Sequence, residues 1–318
     1  MGHDEPVGVA WLFPGQGAQS VGMGKALYDG SERARAVFER ADRILDFPLS
    51  RLCFEGPEEE LIKTENAQPA IVATSIAALE ALREAHPDLE LPRYAAGHSL
   101  GEYSAWVAAD ALELEDALRV VRERGRAMQD AVPQGAGGMA AIMGATPEQI
   151  EELCRDAADG EVLSPANFNA PGQTVIAGAK AAVERAIALC KERSFKAISL
   201  KVSAPFHCSL MAPAAQKVEE CLRGVRCSKP RFPVIANVDA TPNEDENRIA
   251  DLLVRQVDSP VRWYESVRLM ADAGVTRALE LGPGKVLAGL AKRSEPRLRV
   301  FNVSDPESAK QARAFLQE

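Results

Sequence analysis

Short apolar runs alternate with stretches of helical periodicity along most of this chain. That alternation confines the fold to a parallel sheet covered by helices on both faces. Residues 7–13 form an apolar run stopped by Pro14 and Gly15, and read as a buried strand. Residues 33–45 and 67–85 carry helical periodicity. Residues 94–98 are apolar and end at a glycine-flanked turn, with a helical stretch from Glu102. Residues 233–238, 277–281 and 299–303 read as further strands. One segment breaks this rhythm. Residues 134–138 (QGAGG) read as a flexible joint. A strand (139–144), a helix opening at Thr146-Pro147-Glu148, a hairpin within 161–178, a helix (180–193) and a strand (196–203) follow. That β-α-β-β-α-β order is the ferredoxin-like pattern. The expected fold class is α/β. An α/β-hydrolase-like large domain (1–133 and 204–318) carries an inserted ferredoxin-like small subdomain (134–203).

The 318 residues suffice for such a domain and its insertion. No apolar run approaches the roughly 20 residues of a membrane helix. The first residues lack a basic stretch, so no secretory signal is expected, and Pro6 argues against myristoylation at Gly2. Six cysteines are scattered without a CxxC pair, and four histidines are too few to suggest a metal centre. Reduced thiols in a cytoplasmic protein are expected. A net charge of −9 argues against a general nucleic-acid binder. An anionic substrate would then need positive charge supplied locally.

Gly97-His98-Ser99-Leu100-Gly101 matches G-x-S-x-G between a predicted strand and a predicted helix. In that setting Ser99 sits on a sharp turn with its hydroxyl exposed, and the N–H of Leu100 can face a developing oxyanion. The pentapeptide alone also fits a simple tight turn. A serine needs a base at neutral pH. His3 lies near the terminus, His86 lies in a polar loop, and His98 is expected to point to the opposite side of the turn. His207 is left, between a predicted strand and a helix starting near Ser209. A helix N-terminus would favour its neutral form. The alternative is a packed loop histidine.

Residues 115–132 read as an amphipathic helix. Ala117, Val120, Val121, Ala127, Met128 and Ala131 all fall within about 60° of Arg124 at about 100° per residue. Arg119, Arg122 and Arg126 point elsewhere, so Arg124 alone interrupts the buried stripe. A buried guanidinium without an anion is costly. Either an internal Asp or Glu pairs with it, or it awaits an anionic substrate whose carboxylate its planar fork suits. The glycine-rich turn 13–19 has neither GK[ST] nor GxGxxG, which argues against a nucleotide site. The N–H of Gln16 in that turn could instead face Ser99, because adjacent parallel strands end at one edge.

LFPGQGAQ (12–19), NAQPAI (66–71), GHSLGEYSA (97–105), RGRAMQ (124–129), SPANFNAPGQ (164–173), SAPFHCSLM (203–211), LVRQ (253–256) and ELGPGKVL (280–287) run through the chain. Together they closely resemble the malonyl-CoA:acyl carrier protein transacylases of bacterial fatty acid synthesis, nearly end to end. The resemblance implies Ser99 as nucleophile, His207 as base, and Arg124 as clamp for the malonyl carboxylate. It implies the N–H groups of Gln16 and Leu100 as the oxyanion hole, and the main-chain carbonyl of Gln256 as the group orienting His207. His98, Met128, Asn167, Asn169 and Phe206 complete the implied substrate-binding set. Leu100 and Phe206 resemble malonyl-selective members. No metal or redox cofactor is expected: malonyl-CoA is a substrate, and the phosphopantetheine belongs to the carrier protein. The expected partners are malonyl-CoA and acyl carrier protein, with no nucleic acid and no membrane, and the chain is expected to be a monomer. Carrier proteins of this kind are acidic, so a basic patch is expected. Lys285, Lys292, Arg293, Arg297 and Arg299 are its candidates, and a solvated helix face is the plainer reading. The rival activities are a serine hydrolase or thioesterase, which Arg124 disfavours, and an inactive carrier-binding module.

Overall fold

The fold is that of a computed structural model, which describes residues 8–202 and 204–318. His3, Val7 and Ser203, each used in the sequence reading, lie outside the described residues. Among the described residues ten strands follow in chain order: β1 (Gly8–Phe13), β2 (Tyr94–Gly97), β3 (Gly137–Met143), β4 (Leu163–Ala170), β5 (Gln173–Ala179), β6 (Lys196–Ser199), β7 (Val234–Ile235), β8 (Pro242–Asn243), β9 (Val275–Leu281) and β10 (Arg299–Val303).

The large sheet has the order β10-β9-β1-β2-β7-β8. It is parallel from β10 through β7, and the short β8 runs antiparallel. Its central strands are almost wholly apolar because both faces are covered. One face meets the helix Thr64–Ala85, whose alanine-rich middle is buried nearly all round. The opposite face packs on Trp263, Val267 and Met270 from the helix Trp263–Asp272.

The second sheet has the order β4-β5-β3-β6 and is antiparallel throughout. One face is backed by the helices Pro147–Ala158 and Lys180–Glu192. The first of these opens as the sequence suggests, with a reciprocal cap between Thr146 and Gln149. The other face packs on Phe206, Cys208 and Leu210. β4 is laced to the large part of the chain: Phe168 N–H donates to Val261 and Val261 N–H to Ala166, each at 2.9 Å.

Three expectations need correction. The strand at 233–238 contracts to Val234–Ile235, because Asn237 turns its N–H out of the ladder to the carboxylate of Glu102 (3.0 Å). The strand at 196–203 ends at Ser199, where a tight turn joins Val202 N–H to the Leu200 carbonyl. The joint at 134–138 is shorter than its glycines suggest. Gly137 and Gly138 already belong to β3, and Gly137 leaves room for Pro205, which a Cβ would meet at 2.4 Å.

Candidate active site

Ser99 sits where β2 turns into the helix Gly101–Ala108, with φ 52°. That left-handed conformation is costly for a residue with a Cβ and persists only where its surroundings impose it. The surroundings here are backbone. A Cβ on Gly97 would lie 1.9 Å from the carbonyl of Gly101, and one on Gly101 would lie 2.2 Å from that of Phe13. The two glycines let the strand end, the helix start and β1 close on one another. Asn237 then locks the turn. Its Oδ1 accepts from Ser99 N–H (2.7 Å), and its Nδ2 donates to the Gly97 carbonyl (2.7 Å).

His207 is brought to this turn by a second left-handed residue conformation, its own, at φ 60°. Its Nδ1 lies 2.9 Å from the carbonyl of Gln256, which can only accept, so Nδ1 carries the proton. Nε2 is therefore the acceptor and faces Ser99 Oγ at 2.8 Å. Burial, and then the charge of Arg124, push its pKa down to about 3. The sequence reading credits a helix N-terminus for the neutral ring; burial is the larger cause. Ser209–Met211 forms only a 3₁₀ turn ahead of the helix Ala212–Leu222.

Arg124 is 1% exposed on the helix Leu114–Asp130 and, among the described residues, pairs with no carboxylate. One terminal nitrogen donates to Gln68 Oε1 (2.8 Å), and the other to Gln256 Oε1 (2.9 Å) and Ser99 Oγ (3.1 Å). Gly125 allows this approach: a Cβ there would lie 2.6 Å from the Thr64 carbonyl. The two alternatives for Arg124 thus separate. No acid among the described residues neutralises it directly, and its fork points at the serine hydroxyl.

Gln16, Gln68, His98, Ser99, Arg124, Met128, Asn167, Phe206 and His207 line one cleft of ≈ 680 Å³. The N–H groups of Gln16 and Leu100 make no backbone hydrogen bond among the described residues. Leu100's side chain is fully buried, so only its backbone can serve the cleft. The turn carrying Gln16 is held against the Ser99 turn at Gly15, whose Cβ would lie 2.4 Å from the His98 carbonyl. His98 does not point away as expected. Its ring lines the same cleft, and its Nε2 donates to Asn169 Oδ1 at 2.8 Å. Asn169 thus holds His98 rather than lining the cleft itself.

Sequence reasoning missed Gln68, Glu102 and Asn237. Glu102 is fully buried, and its Oε2 accepts from Asn237 N–H and from Gln256 Nε2 (2.8 Å). Burial pushes its carboxyl up to about 7. A glutamate three residues past the serine, on a helix with almost no polar face, is the one signal that pointed to it. The candidate basic patch shrinks. Arg297 is paired with Glu295 and Asp272, and Arg299 with Glu318. Lys285, Lys292 and Arg293 stay exposed without an ion pair among the described residues.

The sequence model of the acyl transferase domain family matches residues 10–297. The malonyl CoA-acyl carrier protein transacylase of Bacillus subtilis (strain 168) is 47% identical over 312 residues, covering 98% of each chain. An acyl carrier protein S-malonyltransferase from Vibrio cholerae superposes with a TM-score of 0.93 at 46% identity, over 96% of this chain and 99% of that one. A malonyl-transacylase solved in complex with its type II PKS acyl-carrier protein gives a TM-score of 0.92 at 44% identity, over 96% and 98%. With matches of this depth along nearly its whole length, the chain belongs to the acyl transferase domain family and, within it, to the malonyl CoA-acyl carrier protein transacylases.

Proposed function

We propose that the chain moves a malonyl group from malonyl-CoA to the phosphopantetheine thiol of an acyl carrier protein through an ester on Ser99. The observation that carries this reading is Arg124, a buried guanidinium with no carboxylate partner among the described residues, 3.1 Å from Ser99 Oγ. A plain hydrolase has no use for such a charge; a substrate with a distal carboxylate does. His207 Nε2 takes the Ser99 proton as Oγ attacks the thioester carbonyl. The N–H groups of Gln16 and Leu100 receive the oxyanion. The tetrahedral intermediate then collapses, the carbon–sulfur bond breaks, and His207 returns the proton to the coenzyme A thiolate. The carrier thiol enters, loses its proton to His207 and takes the malonyl group by the reverse sequence. Each half-reaction is redox-neutral and consumes no further reactant. Arg124 must turn its fork from Ser99 Oγ to the malonyl carboxylate, while Gln68 and Gln256 each keep one of its donors.

Residues 134–203 are read as a small subdomain that closes one wall of the cleft through Met139 and Asn167. The free state of all six cysteines suits a reducing, cytoplasmic setting. Among the described residues, no helix is long and apolar enough to cross a membrane. The carrier protein is read as docking over the helix Val286–Ser294. Gly284, just before it, packs on Ala18 beside the cleft, and Ser294 Oγ donates to the Asn169 carbonyl (3.4 Å) at its far end.

A donor panel tests the reading. Ser99 should be acylated by malonyl-CoA without carrier protein. Arg124→Ala should lower malonyl acylation by about a hundred-fold or more while acetyl acylation is kept or improved. Equal loss for both donors, or no acyl-serine at all, would sink it.

A further inference from the structure

Glu102 is a buried carboxyl at the site that the transfer chemistry leaves unused. Resting on the malonyl-clamp reading above, we propose that Glu102 is a positioning residue: by accepting from Nε2 of Gln256, it decides which end of that amide meets Arg124. A carboxamide has one accepting end and one donating end. In the observed orientation every neighbour is matched. Gln256 Oε1 accepts from Arg124 (2.9 Å), while Nε2 donates to the Ser99 carbonyl (2.9 Å) and to Glu102 Oε2 (2.8 Å). Turned over, the amide would set its NH₂ against a guanidinium and its oxygen against two acceptors. The Ser99 carbonyl alone is one weak vote for the native orientation. A carboxylate behind it, desolvated and with no exposed surface, makes the reversed amide costly.

The consequence reaches the reacting atoms. Gln256 Oε1 and Gln68 Oε1 grip separate terminal nitrogens of Arg124, so on the edge facing Ser99 the contact a carboxylate has to displace is the one to Ser99 Oγ. A carboxylate bonded directly to Arg124 would occupy that edge. Set one amide further back, Glu102 fixes the fork without filling it. The main-chain carbonyl of Gln256 takes the proton of His207 Nδ1, so one residue sets the base and the clamp together. Glu102 Oε2 also accepts from Asn237 N–H, and Asn237 spans the Ser99 turn. What this job requires of Glu102 is reach and an accepting oxygen. Charge is secondary, because a protonated carboxyl still offers that oxygen, and burial already pushes the group up to about 7.

Reach and charge are separated by two variants. Glu102→Gln keeps the length and an oxygen acceptor but loses the charge. Glu102→Asp keeps the charge and falls short by one methylene, about 1.5 Å. Serine acylation by malonyl-CoA and by acetyl-CoA is measured for both, beside wild type and Arg124→Ala. Labelling of Ser99 by an organophosphonate, which needs no carboxylate clamp, reports intact fold and nucleophile. We expect Glu102→Asp to lose about ten-fold with malonyl-CoA and little with acetyl-CoA, and Glu102→Gln to keep both within about three-fold. The reverse ranking would mean that charge, not reach, is used, and overturns the proposal. So does an equal loss on both donors, which is what a purely fold-holding glutamate gives. Should the Asp variant fail to label, the Gln variant decides alone: a preserved donor ratio supports the proposal, and a ten-fold change in that ratio ends it. Arg124→Ala separates the two levels. If it leaves the donor ratio at the wild-type value, the clamp reading itself has failed; if it shifts the ratio and Glu102→Asp does not, only the positioning role has failed.

Discussion

A histidine serving as base must be neutral when the serine attacks, and His207 is held neutral by its surroundings. It is 3% exposed, stands beside the Arg124 guanidinium, and is pushed down to about 3. The hydrogen bond to the Gln256 carbonyl pulls the other way and loses to burial. The sign of the pH dependence follows. With His207 as the proposed base, the working form is deprotonated, so activity should be lost only where the ring takes up a proton, well below the ordinary histidine range. Malonylation of Ser99, followed as the burst of coenzyme A release without carrier protein, should stay flat from about pH 8 to about pH 5. A base with an ordinary pKa would halve the rate near pH 6.5 and then lose about ten-fold per unit. A break near pH 6.5 would show that the free enzyme's base is solvated, contrary to the packing around it.

At the scale of elements, the site depends on close approaches of backbone that glycine makes possible. The Ser99 turn requires Gly97 and Gly101; the seat of Arg124 requires Gly125. The last sets two effects against each other. Alanine stabilises a helix interior by about 1 kcal/mol over glycine. At position 125, however, a Cβ would lie 2.6 Å from the Thr64 carbonyl and 2.7 Å from Glu65 Cα, both backbone atoms at the start of a buried helix. Neither can give way cheaply, and overpacking of this kind costs about 1–3 kcal/mol. Gly125→Ala should therefore lower the melting temperature and lower malonyl acylation more than acetyl acylation, because the shifted helix carries Arg124. A raised melting temperature with an unchanged donor ratio would mean that helix propensity wins.

These elements also mark what could be read in advance. Ser99, His207 and Arg124, which the structure brings together, could be singled out in the sequence: a serine on a glycine-flanked turn, an arginine on an apolar stripe, and a histidine left by elimination. The second, antiparallel sheet was legible from the order of its elements, β-α-β-β-α-β. Gln68, Asn237 and Glu102 were not, since a buried amide or carboxylate is defined by partners 56, 138 and 154 residues away, and no local spacing encodes those distances. The strand at 233–238 failed for the same reason: its apolar run is right, but the pull of Glu102 on Asn237 ends it early.

Over the whole molecule the charge is −9, and an acidic carrier protein would be repelled by the sum. The sum is not what a docking partner feels. At physiological ionic strength the field of an exposed charge fades over about 8–10 Å, so the groups beside the cleft outweigh the distant acids. Lys285, Lys292 and Arg293, in and next to the helix proposed to meet the carrier, are exposed without ion pairs among the described residues, whereas Arg297 and Arg299 are already neutralised by Glu295, Asp272 and Glu318. Their rank as contacts should follow that difference. Reversing Lys285 and Lys292 to Glu should raise the KM for carrier protein by about three- to ten-fold and leave Ser99 acylation by malonyl-CoA unchanged, since neither lysine lines the cleft. Reversing Arg297 and Arg299 should do much less, because their charge is spent within the fold. Added salt should shrink the first effect by screening it. Measuring both double variants in the full transfer reaction at low and moderate salt checks the ranking. Equal effects from the two pairs would show that net charge, and not this local cluster, governs the encounter.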